Sequence, residues 1–152
     1  MKTKDFFHSR RHSVDEFFDY TRSLGTGLAR QNCPQVLFAV IAIMAEDCGY
    51  HLTELRSDST RVFIRGYDRY KQRECRLMLR INEGNLVVAV VRFVHERQGY
   101  MTRLYKALKL IRRRYKLNRI AIECPNEKMK KWCLKNGFVQ DMHGCGNYVE
   151  KI

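Results

Sequence analysis

The chain has 152 residues, 45% of them hydrophobic, which is enough for one globular unit with a substantial core. Lys and Arg number 29 against 16 Asp and Glu, a formal net charge of +13, so an anionic ligand or partner is expected. The longest apolar run, Val36 to Ala45, is too short to cross a bilayer, and Met1-Lys2-Thr3-Lys4-Asp5 carries no apolar secretory segment, which points away from a membrane or exported protein and towards a cytoplasmic one.

Residues Lys4 to Ser9 place Phe6-Phe7 in a polar frame, read as an edge strand or a flexible start within positions 1–12 of a single domain spanning 1–152. Ser13-Val14-Asp15-Glu16 is a helix start, with the Ser hydroxyl capping free amides and Glu16 reaching back. Val14, Phe17, Phe18 and Thr21 give its apolar face, and Gly25-Thr26-Gly27 ends it. Asn32-Cys33-Pro34 opens a second helix, apolar on every side from Val36 to Ala45 and closed by Gly49. Such a helix belongs in the core, with a homodimer face as the alternative.

Three strands are expected next. Arg61 to Arg65 is short, and Glu74 to Ile81 alternates, with Cys75, Leu77, Leu79 and Ile81 on one face and Arg76 and Arg80 on the other. Asn82-Glu83-Gly84-Asn85 is a hairpin turn into Leu86 to Val91, whose unbroken apolar character marks a central strand covered on both faces. A helix from about Thr102 to Lys116 stacks Leu104, Leu108, Ile111 and Tyr115. Its remaining surface carries Arg103, Lys106, Lys109, Arg112, Arg113, Arg114 and Lys116 with no acid among them, a candidate face for nucleic acid or an acidic protein partner. Arg119 to Cys124 is a strand, and a helix linking two apolar strands makes them parallel. A last helix over Met129 to Lys135, with Met129, Trp132 and Cys133 inward, leads to short strands at Phe138 to Met142 and Asn147 to Lys151.

The charge is uneven. Up to Arg76 there are 13 Lys or Arg against 10 Asp or Glu, and from Leu77 onward 16 against 6. The six cysteines are scattered with no CxxC pair, which favours reduced thiols and disfavours a metal site, even where His143 and Cys145 lie close.

Strand, turn with Gly99, helix is an arrangement whose free amides can hold an anion. Two segments here resemble the GNAT superfamily of N-acetyltransferases. Glu96-Arg97-Gln98-Gly99-Tyr100-Met101 is similar to a degenerate form of that family's acetyl-CoA loop, matching it at Gly99, and Asn126, Gly137 and Phe138 fall in register with its Asn-x-x-Ala-x-x-x-Tyr-x-x-x-Gly-Phe segment. The resemblance implies an α/β (α+β) fold, a mixed central sheet of about six to seven strands flanked by about four helices. It implies transfer of an acetyl group from acetyl-CoA, or another acyl-CoA, to an amine acceptor, with no metal. The loop residues Arg97, Gln98, Gly99, Tyr100, Met101 and Thr102, joined by Arg103 and Lys106, would meet the phosphates, and Asn126 would lie by the pantetheine arm. His95 is the first candidate base, Glu96 the second and Tyr148 an acid. Cys133 stands where the family places a tyrosine acid, although a small buried residue on the helix stripe is the preferred reading of it. The alternative function is a catalytically silent module on the same fold, binding nucleic acid or an acidic partner through its basic face.

Overall fold

The computed structural model describes residues 37–49, 51–57, 60–143 and 146–151. The expected edge strand at Lys4 to Ser9, the helix from Ser13, the helix start at Asn32 and Cys145 lie outside these residues. Three helices and seven strands follow in the order α1 (Phe38–Asp47), β1 (Leu52–Ser57), β2 (Arg61–Asp68), β3 (Arg73–Asn82), β4 (Asn85–Arg92), α2 (Tyr100–Arg114), β5 (Ile120–Ile122), α3 (Glu127–Lys135), β6 (Phe138–Gln140) and β7 (Tyr148–Glu150). The strands form one mixed sheet in the order β1-β2-β3-β4-β5-β7-β6, an α+β arrangement. The β4–β5 pair is parallel, as the α2 crossover requires, and the other pairs are antiparallel.

Helix α1 is apolar throughout because it is buried: Val40, Met44 and Ala45 are fully inaccessible. It packs beside α2 and over β2 and β3. Contact is close enough that a Cβ on Gly66 of β2 would stand 2.5 Å from the Cys48 sulfur and 3.1 Å from that of Cys75. On β3 the alternation is as expected, with Cys75, Leu77 and Leu79 buried.

Two strand expectations need correction. Leu52–Ser57 is a fourth strand between α1 and the central hairpin, with an irregular register between Leu52 and Glu54. Its two inward leucines, Leu52 and Leu55, are three apart, so the alternation that marks a strand is broken. The apolar run in β4 owes part of its length to a bulge. Leu79 pairs with Val88 and Met78 with Val90, leaving Ala89 as the extra residue. Leu86 and Val88 face the core before the bulge, and Val91, opposite the buried Leu77, faces it afterwards. Val90 and Arg92 turn outward and are exposed, so the strand is covered on both faces only around Val87 and Val88.

Helix α2 buries Met101, Leu104, Ala107, Leu108 and Ile111. Tyr115 lies past the helix end and is 42% exposed, outside the stripe in which the periodicity placed it. The far side of the sheet is tied by Glu150 of β7. Its carboxylate accepts from the Ile120 amide at 2.8 Å and the Tyr105 hydroxyl at 2.5 Å, and is ion-paired with Arg112. That carboxylate and its own burial push the Tyr105 hydroxyl pKa upward, burial first.

Candidate active site

β4 and β5 pair at Leu86 with Ile120, Val87 with Ala121 and Val88 with Ile122, and β5 then ends. One further hydrogen bond, Glu123 N to Val88 O at 3.0 Å, closes the pairing. Beyond it β4 runs on through its bulge to Arg92 without β5 beside it. A bulge bends and twists the strand that carries it, so Ala89 is well placed to turn β4 away. Beside this unpaired end of β4 lies a groove of about 940 Å³, bounded by the start of β3, the end of β4, the start of α2 and the exposed side of α3. That size is ordinary for a small-molecule site.

The loop after β4 is anchored from α1. Asp47, fully buried at the helix C-terminus, accepts from the Val94 amide at 2.6 Å and the His95 amide at 2.8 Å. An acid at this end of a helix opposes the helix dipole, and burial raises the Asp47 pKa; the two backbone bonds and the His95 ring offset part of that cost. The His95 Nδ1 stands 2.9 Å from the Asp47 carbonyl oxygen and 3.2 Å from its Oδ1. Both neighbours accept, so Nδ1 carries the proton and Nε2 is left facing outward, 3.8 Å from Asp68 Oδ2. His95 lines the groove.

Gly99 then takes a left-handed backbone, φ 76°, and begins α2. No side chain caps the helix and its first turn holds no acid, so the leading amides, Gly99 to Thr102, have no intrahelical partner and edge the groove. The two departures in the loop are accommodated. Met101 is packed into the core at 9% exposure while still edging the groove. Glu96 is bound to Lys128 of α3 at 2.6 Å, and that ammonium holds its carboxyl below the ordinary range. Six cationic side chains, Arg73, Arg76, Arg92, Arg97, Lys128 and Lys131, line the groove against two carboxylates, Glu74 and Glu96. This donor set, amides and cations with few acids, fits a phosphate-bearing ligand.

Other candidates fall elsewhere. Gln98 is exposed in the loop, and Asn126 lines the groove while its Oδ1 caps α3 through the Met129 amide at 2.9 Å. Arg103 is paired with Glu46 at 2.8 Å and lies over the Tyr100 ring, so it does not line the groove. Lys106 is exposed on α2, away from it. Cys133 is fully buried and outside the groove, a core residue whose thiol burial pushes up to about 11. Tyr148 is buried on β7, paired with Ile122, and also outside the groove.

The basic face of α2 is less continuous than its sequence. Arg112 is held by the buried Glu150, Arg103 by Glu46, and the Lys109 ammonium sits 4.2 Å from the Tyr105 ring centre. Lys106, Arg113, Arg114 and Lys116 remain exposed. Arg112 is therefore a structural residue and not part of a free docking face.

Asp47, Lys128, Trp132 and Glu123 were not among the sequence candidates. The Trp132 indole N–H donates to the Thr102 hydroxyl at 3.3 Å, joining α3 to α2 across the groove. Glu123 marks the parting of the strands, its carboxylate paired with Arg80. None belongs to a local motif, since each acts on a partner far away in the chain. Among the described residues no cluster of His, Cys, Asp or Glu could hold a metal ion, and no helix is long and apolar enough to cross a membrane.

The chain matches no protein-family model and no curated protein. Among solved structures it has a partial likeness to one titled as the crystal structure of the anti-CRISPR protein AcrVA5. Identity is 20%, the match covers 49% of this chain and 86% of that one, and the TM-score is 0.42.

Proposed function

We propose that the chain binds an acyl-CoA and transfers its acyl group to an amine, in the manner of the GNAT superfamily that its Gly99 and Asn126 segments resemble. The observation that carries this reading is the end of β4 left unpaired by β5 after Val88, which together with the uncapped start of α2 lines one groove. A bound acyl-CoA supplies an activated thioester. The Gly99 to Thr102 amides, with Arg97, Arg73 and Lys128, take its phosphate charge, and the unpaired edge of β4 at Val90 and Val91 offers backbone donors and acceptors to an amide-bearing arm.

An attacking amine must lose a proton. β4 ends at Arg92, so His95 stands in the loop, three residues beyond the strand and seven beyond the parting at Val88. His95 therefore serves the phosphate end, where Asp47 fixes its ring and the loop. Glu123, beside the parting, does not itself line the groove; on this reading it accepts the amine's proton where β4 and β5 separate, with Arg80 paired to its carboxylate.

Calorimetry with CoA and acetyl-CoA tests the first step: binding is expected, and its absence at high protein concentration sinks the reading. Acyl transfer to a panel of amines tests the second. Glu123→Gln is expected to lower kcat by about a hundredfold or more with KM for acyl-CoA little changed, whereas His95→Gln raises that KM. Reversal of the two effects returns His95 to the role of base.

A further inference from the structure

The sheet has a second feature that the acyl-CoA reading uses only in part. On the face turned away from α1, Arg65 of β2 is directly opposite Arg76 of β3, which is directly opposite Arg92 of β4. Beside this row runs an apolar one, Phe63 opposite Met78 opposite Val90. Arg61 and Arg80 make a third row on its other side.

Like charges directly opposite one another destabilise a sheet, and here two such junctions follow in succession. Glu74 offsets part of the charge, bonding Arg76 at 2.8 Å and lying 3.4 Å from Arg65. The offset is incomplete. Glu54 lies 3.8 Å from Arg65 and Glu123 is paired with Arg80, but Arg65 Nε, though 3.4 Å from Glu74, makes no hydrogen bond, and no ion pair or hydrogen bond engages the Arg92 side chain among the described residues. Every cation in these rows is arginine, whereas α2 mixes lysine with arginine and α3 carries lysine alone. Arginine is the residue whose planar fork pairs with phosphate and stacks on aromatic rings, and the Arg65 guanidinium already lies 5.8 Å from the Phe63 ring centre. Arg76, Arg92 and Val90 also line the groove, so the face opens into it.

We propose that this outer face of β2, β3 and β4 binds single-stranded nucleic acid, the Arg65-Arg76-Arg92 row taking phosphates and the Phe63-Met78-Val90 row taking bases. An apolar stripe between two arginine rows matches the alternation of base and phosphate along a strand. An acidic peptide would find the charges but would have no sheet edge on this face for its main chain. The proposal does not depend on acyl transfer, and loss of CoA binding leaves it standing.

The test is fluorescence anisotropy with a labelled oligouridine of about 15 nucleotides, long enough to cover the platform with flanking nucleotides on either side. Binding is expected at low salt, falling steeply between about 50 and 200 mM. The double variant R76E/R92E is expected to weaken it at least about tenfold, and the α2 variant K106E/R113E less than about twofold. Phe63→Ala is expected to weaken it about tenfold through lost stacking. Crosslinks from a thiouridine-bearing strand to the unmodified protein are expected in the peptides carrying Phe63 or Met78, a measurement that requires no variant to fold. No binding at low salt overturns the proposal, as do crosslinks confined to α2 or displacement by polyglutamate as effective as by unlabelled oligouridine.

Discussion

Asp47 and His95, 48 positions apart, are joined by three contacts: the His95 amide to the Asp47 side chain, and the His95 ring to both its carboxylate and its carbonyl oxygen. The contact makes the loop that opens the groove an extension of α1. A buried carboxylate holding two backbone amides and a ring stiffens that loop before any ligand arrives, which is the condition for binding an anion without first ordering the chain.

Replacing Asp47 by Ala leaves the Val94 and His95 amides without their acceptor, and is expected to cost about 2–4 kcal/mol in chemical denaturation. Burial holds the Asp47 carboxyl above its ordinary value, so the folded chain keeps a proton that the unfolded chain releases near about pH 4. From there up to the raised value the folded state binds more protons, and stability falls as pH rises. Asp47→Asn removes that slope; an unchanged slope would place its origin in another group.

Arg112 and Arg113 are neighbours in sequence with opposite duties. Arg112→Ala strands the carboxylate of Glu150, itself 7% exposed, and is expected to destabilise the fold by about 3–5 kcal/mol. Arg113→Ala, on the exposed face, is expected to change it by less than about 0.5 kcal/mol. Thermal melts of the two variants check this, and equal melting temperatures would contradict the assigned role of Glu150.

The Glu96–Lys128 pair predicts changes of opposite sign in CoA affinity. Lys128→Ala frees a carboxylate at the groove and is expected to weaken CoA binding several-fold, while Glu96→Gln releases Lys128 and strengthens it. Both effects shrink as salt is raised. Calorimetry at two ionic strengths reads all four values, and a weaker Glu96→Gln complex would mean that the carboxylate is needed where it stands.

Thiol reactivity should follow burial. Cys124 is exposed, whereas Cys48, Cys75 and Cys133 are fully buried, the Cys133 thiol held up at about 11. Among these four described thiols, iodoacetamide near neutral pH is expected to label Cys124 before the other three, which stay protected until denaturant is added. Peptide mass spectrometry distinguishes the sites, and early labelling of Cys133 would show that α3 opens away from the core.

Much of the fold was legible in the sequence because its signals were local. The Asn82 to Asn85 turn, the alternation of β3 and the crossover between two apolar strands each reside in a short window. β1 escaped because its bulge breaks the period that identifies a strand. β4 was recognised, but the Ala89 bulge was not, since a shifted alternation and an unbroken apolar run read alike in Leu-Val-Val-Ala-Val-Val. In the site, Gly99 and the α2 start were legible for the same local reason. Asp47, Lys128 and Glu123 were not, because their partners, His95, Glu96 and Arg80, come from other elements. The packing of Met101 into the core and the capture of Arg112 by Glu150 are likewise tertiary facts, and they change what those residues can do.

Gly66 gives the arrangement a consequence beyond packing. With no side chain there, the Cys48 end of α1 settles directly onto β2 and β3, and Cys48 follows Asp47 in the chain. The missing methyl is a spacer of zero thickness whose value fixes the height of Asp47 above the sheet, and so the height of the loop. Gly66→Ala, at a position far from the mouth of the groove, would lift that end of α1 and register as a ligand-binding defect in a protein whose binding residues were all intact.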